Sequence, residues 1–471
     1  MASDDLCWLP ALELAALIRE KKVSPVEVTD AVLARIERVN PALNAFCTVT
    51  AEEARDAAQA AEVAVMTGEE LGALHGVPVS IKDLVFTRRV LTTGGSRLFA
   101  EHVPEEDAVC VERLKGAGAV LIGKTSTPEF GHKGVTDSPL FGITRNPWNP
   151  SLTPGGSSGG AGAAVAAGLG PLAVGTDGGG SIRIPASFCG IYGLKPSFGR
   201  VPQGPGFPGW ETFSATGPMT RTVRDAAAML DAMAGPDDRD RLSLPVDNGP
   251  AFLEACDAGL AGLSIGWTAD LGYARVDPEV AELCAAAAEL FEGLGCHVEV
   301  VTPGWDDPEE IFRTLAPAES YGAWGARLED SADQLDRSLV ALLRYGKTIT
   351  TERYLAAARR RHELWTEVQR FLARFDLLLT PTVAVPPFEV GRPAVKEIDG
   401  QRVSPLGWMP FTFPFNLTGQ PAATIPVGMT SSGLPVGLQI VGRRFADRTV
   451  LAASAAFEAA RPWAEWRPVI G

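Results

Sequence analysis

Apolar positions three and four residues apart mark the first segment of the chain. Ser24-Pro25-Val26-Glu27 predicts a capped helix start with proline at the first helical position, and Val28, Val32, Leu33 and Ile36 then fall on one face. Residues 1–65 read as helical on this basis. Val77–Ile81 and Ala119–Ile122 are short apolar runs that predict strands. Thr153 to Thr176 carries no charge. Within it, Ala161–Ala167 predicts a helix of small residues able to pack close to its neighbours, and Leu172–Val174 a buried strand. Gly235–Pro250 is polar and rich in Asp and Pro, and reads as a linker-like loop. Leu263–Trp267 predicts a strand. A helix then starts at Asp277-Pro278, with Val280, Leu283, Cys284, Ala287 and Phe291 on one face and Gly293 and Gly295 ending it. His297–Val301 reads as a buried strand, and residues 308–375 as charged helix. Leu377–Leu379, Ala422–Val427 and Val436–Val441 return to strand, the last two as a hairpin around Ser431-Ser432-Gly433. Strand and helix alternate throughout, which predicts an α/β fold. We expect one domain over residues 1–471: a helical region (1–65), a core (66–235), a loop (236–250), a second α/β and helical region (251–375) and a return to the core sheet (376–471).

Composition narrows the function classes. The 471 residues are 46% hydrophobic and 21% charged, the balance of a soluble globular protein. A net charge of −15 argues against a dedicated nucleic-acid binder, which needs a basic face. Seven scattered cysteines form no C-x-x-C pair, as expected in a reducing compartment. The acidic start Met1-Ala2-Ser3-Asp4-Asp5 lacks a signal-peptide pattern, and Pro154, Pro171 and many glycines interrupt the uncharged stretch. The expectation is a cytoplasmic protein with no membrane or nucleic-acid partner. No H-E-x-x-H and no Cys/His cluster indicates a metal, and no cofactor is expected.

Three stretches carry candidate chemistry: Val79-Ser80-Ile81-Lys82, Gly155-Gly156-Ser157-Ser158-Gly159-Gly160 and Thr176-Asp177-Gly178-Gly179-Gly180-Ser181. Taken alone, a lysine ending a buried strand is ordinarily one that snorkels to water. Buried, it can lose its charge and act as a base. A serine beside such a base is a nucleophile. Gly155-x-Ser157-x-Gly159 also fits a nucleophile elbow, but the only downstream histidines are His297 and His362, neither in a loop that looks catalytic. Three glycines before Ser181 free backbone N–H groups for an oxyanion. Gly118–Thr125 matches a phosphate-loop pattern, yet its Ala-Val-Leu-Ile interior is a strand and not a loop.

Together these stretches resemble the amidase signature family of serine hydrolases. Ser181 stands 24 positions after Ser157 and is followed by Ile182-Arg183-Ile184-Pro185. The similarity continues through Lys124–Gly131, Arg145–Asn149, Cys189–Pro196, Gly419–Ala422 and Gly437–Val441. It implies a large mixed β-sheet covered on both sides by helices. It implies Ser181 as nucleophile, Ser157 as proton relay behind a cis peptide bond, and Lys82 as base. It further implies an oxyanion hole from Gly178, Gly179, Gly180 and Ser181, with Ser158, Asp177 and Arg183 as supports. The family usually carries a bulkier residue where this chain has Gly178, which implies a softer oxyanion loop or a roomier pocket beside it.

The resemblance implies a carboxamide hydrolase acting on a small molecule. Two alternatives stay open: a glutaminase subunit of a tRNA-dependent amidotransferase, and a urethane (carbamate) hydrolase. The amidotransferase's usual Ser-Ser-Asn-Leu-Ala-Arg-Tyr-Asp-Gly stretch has no counterpart in Glu319–Gly325. Phe207, Trp210, Phe213, Tyr321, Trp324, Phe411, Phe413 and Phe415 are candidate pocket aromatics, each equally readable as core, and they favour an apolar or aryl substrate. The sequence leaves the oligomeric state open, a homodimer included.

Overall fold

The computed structural model describes residues 3–470; Met1, Ala2 and Gly471 lie outside the described residues. Its strands are β1 (Phe46–Val49), β2 (Pro78–Lys82), β3 (Val120–Thr125), β4 (Asp137–Ser138), β5 (Gly142–Ile143), β6 (Leu172–Asp177), β7 (Tyr192–Lys195) and β8 (Ala215–Thr220). They continue with β9 (Ser264–Trp267), β10 (His297–Val300), β11 (Leu377–Pro381), β12 (Glu397–Ile398), β13 (Gln401–Arg402), β14 (Ala422–Met429) and β15 (Pro435–Gly442). One 11-stranded sheet runs β1-β3-β2-β6-β8-β7-β14-β15-β11-β9-β10. It is mixed: β2 is parallel to β3 and β6, β9 is parallel to β10 and β11, and β14 and β15 are an antiparallel hairpin.

Alternate residues of the central strands feed opposite apolar layers, as a sheet buried on both faces requires. Leu377 and Leu379 of β11 point into one layer and Leu378 into the other; Ile425 and Ala422 of β14 divide the same way. The first layer is completed by the helices Pro25–Leu43, Val223–Met233, Pro278–Gly293 and Asp447–Ala460. The second is completed by Glu309–Trp324 and Thr351–Leu372. The predicted caps form. Ser24 Oγ accepts from Val26 N at 2.9 Å while Glu27 accepts from Ser24 N, and Asp277 accepts from Glu279 N at 3.0 Å.

Four elements differ from the sequence reading. The first 65 residues include β1, which pairs antiparallel with β3. The chain turns into it at Asn44, left-handed at φ 53°, a weaker written stop signal than glycine. β8 was hidden by Gly217 and Pro218; it lies between β6 and β7, so close to β7 that a side chain at 217 would strike Leu194 O. β10 ends the sheet, and His297 on it is exposed rather than buried. The strand expected at Ala119–Ile122 runs on to Thr125. It turns Lys124 inward, where its Nζ donates to Thr87 Oγ1 at 2.8 Å and Thr92 Oγ1 at 2.9 Å.

Two local features set up the candidate site. β2 and β6 are adjacent and parallel, so their C-terminal ends bring Lys82 and Asp177 to the same end of the sheet. The helix Gly159–Ala166 lies so close behind that a side chain at Gly160 would run into the backbones of Ser126 and Ala45. Small residues there deliver Ser157 and Ser158 onto Lys82. Between Met233 and Phe252 no regular element forms, but this stretch is tied down: Asp247 pairs with Arg200 at 2.8 Å and Arg448 at 2.9 Å.

Candidate active site

Lys82 ends β2 fully buried. Its Nζ lies 2.6 Å from Ser157 Oγ, 2.9 Å from Ser158 Oγ and 2.9 Å from Thr176 Oγ1. Burial pulls its pKa from 10.5 down to about 7, against the opposing pull of Asp177. Ser158 Oγ donates to Thr176 O at 3.2 Å, and Ser158 N to Ser181 O at 3.0 Å. The Gly156-Ser157 peptide is cis.

Asp177 organises the loop that follows β6. Its carboxylate accepts from Gly180 N at 2.7 Å, Ile182 N at 3.1 Å and Asn416 Nδ2 at 2.9 Å. It also takes Arg183 Nε at 3.0 Å and Nη2 at 2.9 Å. Burial pushes this carboxyl up, but the Arg183 guanidinium more than offsets it and holds the group well below the usual carboxylate range. Arg183, fully buried, continues to Thr412 O, Gln439 Oε1 and Asn416 Oδ1. The curled loop presents Ser181 toward a cavity of about 510 Å³ that Ser157, Thr176 and Gly178 also line.

Aromatic side chains form part of the walls of this cavity, beside Leu84, His132 and Gln203. Phe130 stacks on Trp324 at 3.8 Å and 7°, and Phe207 packs edge-on to Phe130. Phe207 and Trp324 also border a second cavity of about 460 Å³. Across the floor, Trp210 donates its indole N–H to Ser320 Oγ at 2.8 Å and Ala316 O at 3.0 Å, both on the helix Glu309–Trp324. Asp238 to Leu242, from the predicted loop, reach the mouth of the cavity.

A family model described as Amidase matches residues 27–451. This chain belongs to the amidase signature family. It is 40% identical over 473 residues to an acylamidase of Rhodococcus erythropolis, covering 99% of this chain and 98% of that one. It is 38% identical over 493 residues to a glutamyl-tRNA(Gln) amidotransferase subunit from Moorella thermoacetica, covering 99% of each. Among solved structures, a bacterial aryl acylamidase of the same family superposes with a TM-score of 0.91 at 36% identity, covering 97% of each chain. A 6-aminohexanoate cyclic dimer hydrolase gives 0.90 at 32% identity, covering 98% of this chain and 99% of that one. The chain is an amidase-family hydrolase of amide C–N bonds, and the sheet described above is the amidase signature fold.

Within this amidase, several expectations need correction. Gly180 N–H points to Asp177, and the carbonyl of the same peptide unit, Gly179 O, accepts from Thr412 Oγ1 at 2.7 Å. With both ends engaged, that unit is not available to an oxyanion. The space beside Gly178 is not open: the Trp210 ring fills it. Phe207, Trp210 and Trp324 line the cavity, whereas Phe213, Phe411, Phe413 and Phe415 are buried core beneath it and Tyr321 is half-buried away from it. Their spacing in the sequence could not separate the two sets.

The amidase site also contains residues that sequence reasoning did not assign. Thr176 touches Lys82; its place before Asp177 was the available signal. Asn416, which superficially opens a glycosylation sequon, is buried and clamps Asp177 and Arg183. Gly131 sits where a Cβ would stand 3.1 Å from Ser157 Oγ. Among the described residues no group of His, Cys, Asp and Glu could hold a metal, and no helix is long and apolar enough to cross a membrane.

Proposed function

We propose that this amidase cleaves carboxamides through an acyl-enzyme on Ser181, with Ser157 as proton relay and Lys82 as base. The hydrogen-bond accounting around Lys82 Nζ carries the reading. A neutral amine has two hydrogens and one lone pair. Ser158 directs its own hydrogen to Thr176 O and so accepts from Lys82. Thr176 Oγ1 takes the second hydrogen. The lone pair then faces Ser157 Oγ at 2.6 Å.

Ser157 gives its proton to Lys82 and takes the proton of Ser181 as Ser181 Oγ bonds to the carbonyl carbon. The negative oxygen is received by the N–H groups of Gly178, Gly179 and Ser181. As the carbonyl reforms, the C–N bond breaks and Ser157 protonates the leaving nitrogen, restored in turn by Lys82. Water, deprotonated through the same relay, attacks the ester and frees Ser181.

An apolar or aryl small-molecule substrate fits best, because Phe130, Phe207, Trp210 and Trp324 line the cavity. The acylamidase relatives support the same class. The test incubates the purified chain, alone, with an aryl amide, an aryl carbamate, an alkyl primary amide and glutamine, beside Ser181→Ala. We expect aryl amide cleavage that vanishes in the variant. Turnover of glutamine only would favour the amidotransferase reading. Carbamate as the best substrate would favour a urethanase. Cleavage surviving in Ser181→Ala would overturn the nucleophile.

A further inference from the structure

The candidate cavity has two aromatic walls, the Phe130–Trp324 stack and Trp210. Ser157, which hands its proton to the leaving nitrogen, sits against Gly131 and Leu84: a Cβ on Gly131 would stand 3.1 Å from Ser157 Oγ and 2.8 Å from Leu84 Cδ1. Phe130 precedes Gly131 and stacks on Trp324. On the proposed mechanism this places the Phe130–Trp324 wall beside the group that serves the leaving nitrogen. Gly178 opens the oxyanion loop, and Trp210 covers it. On the same mechanism the acyl half, which stays on Ser181, would face that side.

A Cβ built on Gly178 would overlap Trp210 Cε3 and stand 2.9 Å from Cζ3. The indole takes up the volume a side chain at 178 would need. It cannot swing away freely. Its N–H is bound to Ser320 and Ala316, and its ring packs on Phe213 at 5.4 Å and Phe312 at 5.7 Å. Arg361 fixes the following turn through Thr212 O at 2.7 Å and Thr212 Oγ1 at 2.8 Å.

We propose that Gly178 and Trp210 form a reciprocal pair that sets acyl-group specificity: the glycine admits the indole, and the indole presents a flat, immobile face that accepts small or planar acyl groups and excludes branched ones. This rests on the Ser181 acyl-enzyme reading above. Trp210 is a specificity residue and takes no part in proton transfer.

The test uses two substrate series: one p-nitroaniline leaving group with acetyl, benzoyl, isobutyryl and pivaloyl acyl groups, and one acetyl group on differing anilines. The full-length wild type is compared with Trp210→Ala, Trp210→Phe, Gly178→Ala, Gly178→Ala/Trp210→Ala and Trp324→Ala. Trp210→Ala should raise kcat/KM for pivaloyl relative to acetyl by about tenfold or more, the scale of a few methyl groups in an apolar pocket. It should leave the aniline ranking in place, and Trp324→Ala should do the reverse. Gly178→Ala should slow every substrate, and the double variant should recover about tenfold of that loss.

Should Trp210→Ala not fold, Trp210→Phe must shift the acyl ranking in the same direction. An unchanged acyl ranking, or losses that multiply in the double variant, overturns the pair while Ser181-dependent cleavage stands. Cleavage that persists in Ser181→Ala, or a wild type inert to every amide, overturns the acyl-enzyme reading and the pair with it.

Discussion

The floor and the walls of the cavity are built by different means. Lys82, Ser157, Ser158, Asp177, Ser181 and Arg183 are buried, and all six lie within about a hundred residues at strand ends and helix starts. The walls come from distant pieces of chain: Phe130 after β3, Phe207 and Trp210 from a loop, Trp324 from the end of a helix, and Asp238–Leu242 from a segment with no regular structure. A floor held by hydrogen bonds tolerates one arrangement of atoms. A wall held by packing tolerates several, so the same chemistry can face different substrates.

Experiments that break the floor should abolish turnover of every substrate alike. Ser181→Ala removes the proposed attacking oxygen and should lower kcat by about 10⁴-fold or more, with KM little changed. Lys82→Ala should cost about 10²- to 10⁴-fold, the range of a lost general base. Its titration sharpens the point. The protonated ammonium has no lone pair, so kcat/KM should fall with unit slope as pH drops through about 7. The same shift bears on stability. Between about 7 and its unfolded value of 10.5 the folded chain binds fewer protons at Lys82, so this residue's contribution to stability grows as pH rises over that window.

Arg183→Met tests the support beneath the floor. It leaves the buried Asp177 carboxylate without its ion-pair partner, and should destabilise the fold by about 3–5 kcal/mol, read by denaturant melts. At the other extreme, Arg241 and Glu211 pair at 2.9 Å across the exposed rim. Arg241→Ala should leave the melting temperature unchanged, because an exposed pair is screened. A large loss there would break the distinction between floor and rim.

The sequence made the floor legible because its chemistry is local. A lysine at a strand end and serines among glycines are each readable within a few residues. β8 was not legible, since Gly217 is there for its close approach to β7, a contact the local pattern cannot announce. The walls were illegible for a related reason. Phe413 and Trp210 are both aromatics in loops, and only packing sends one into the core and the other to the cavity. The oxyanion loop stands between these cases. Three glycines suggested three open amides, but Asp177 claims one of them, and that depends on where its carboxylate is held.

Arg183 reaches Thr412, Asn416 and Gln439 across 229, 233 and 256 positions of sequence. A chain emerging from the ribosome carries Ser181 long before these partners exist. Until they arrive, the guanidinium that holds the carboxylate of the serine loop lacks these three partners. The order of synthesis thus sets an order of assembly: the loop that carries Ser181 gains its full set of contacts only after the last strands are made.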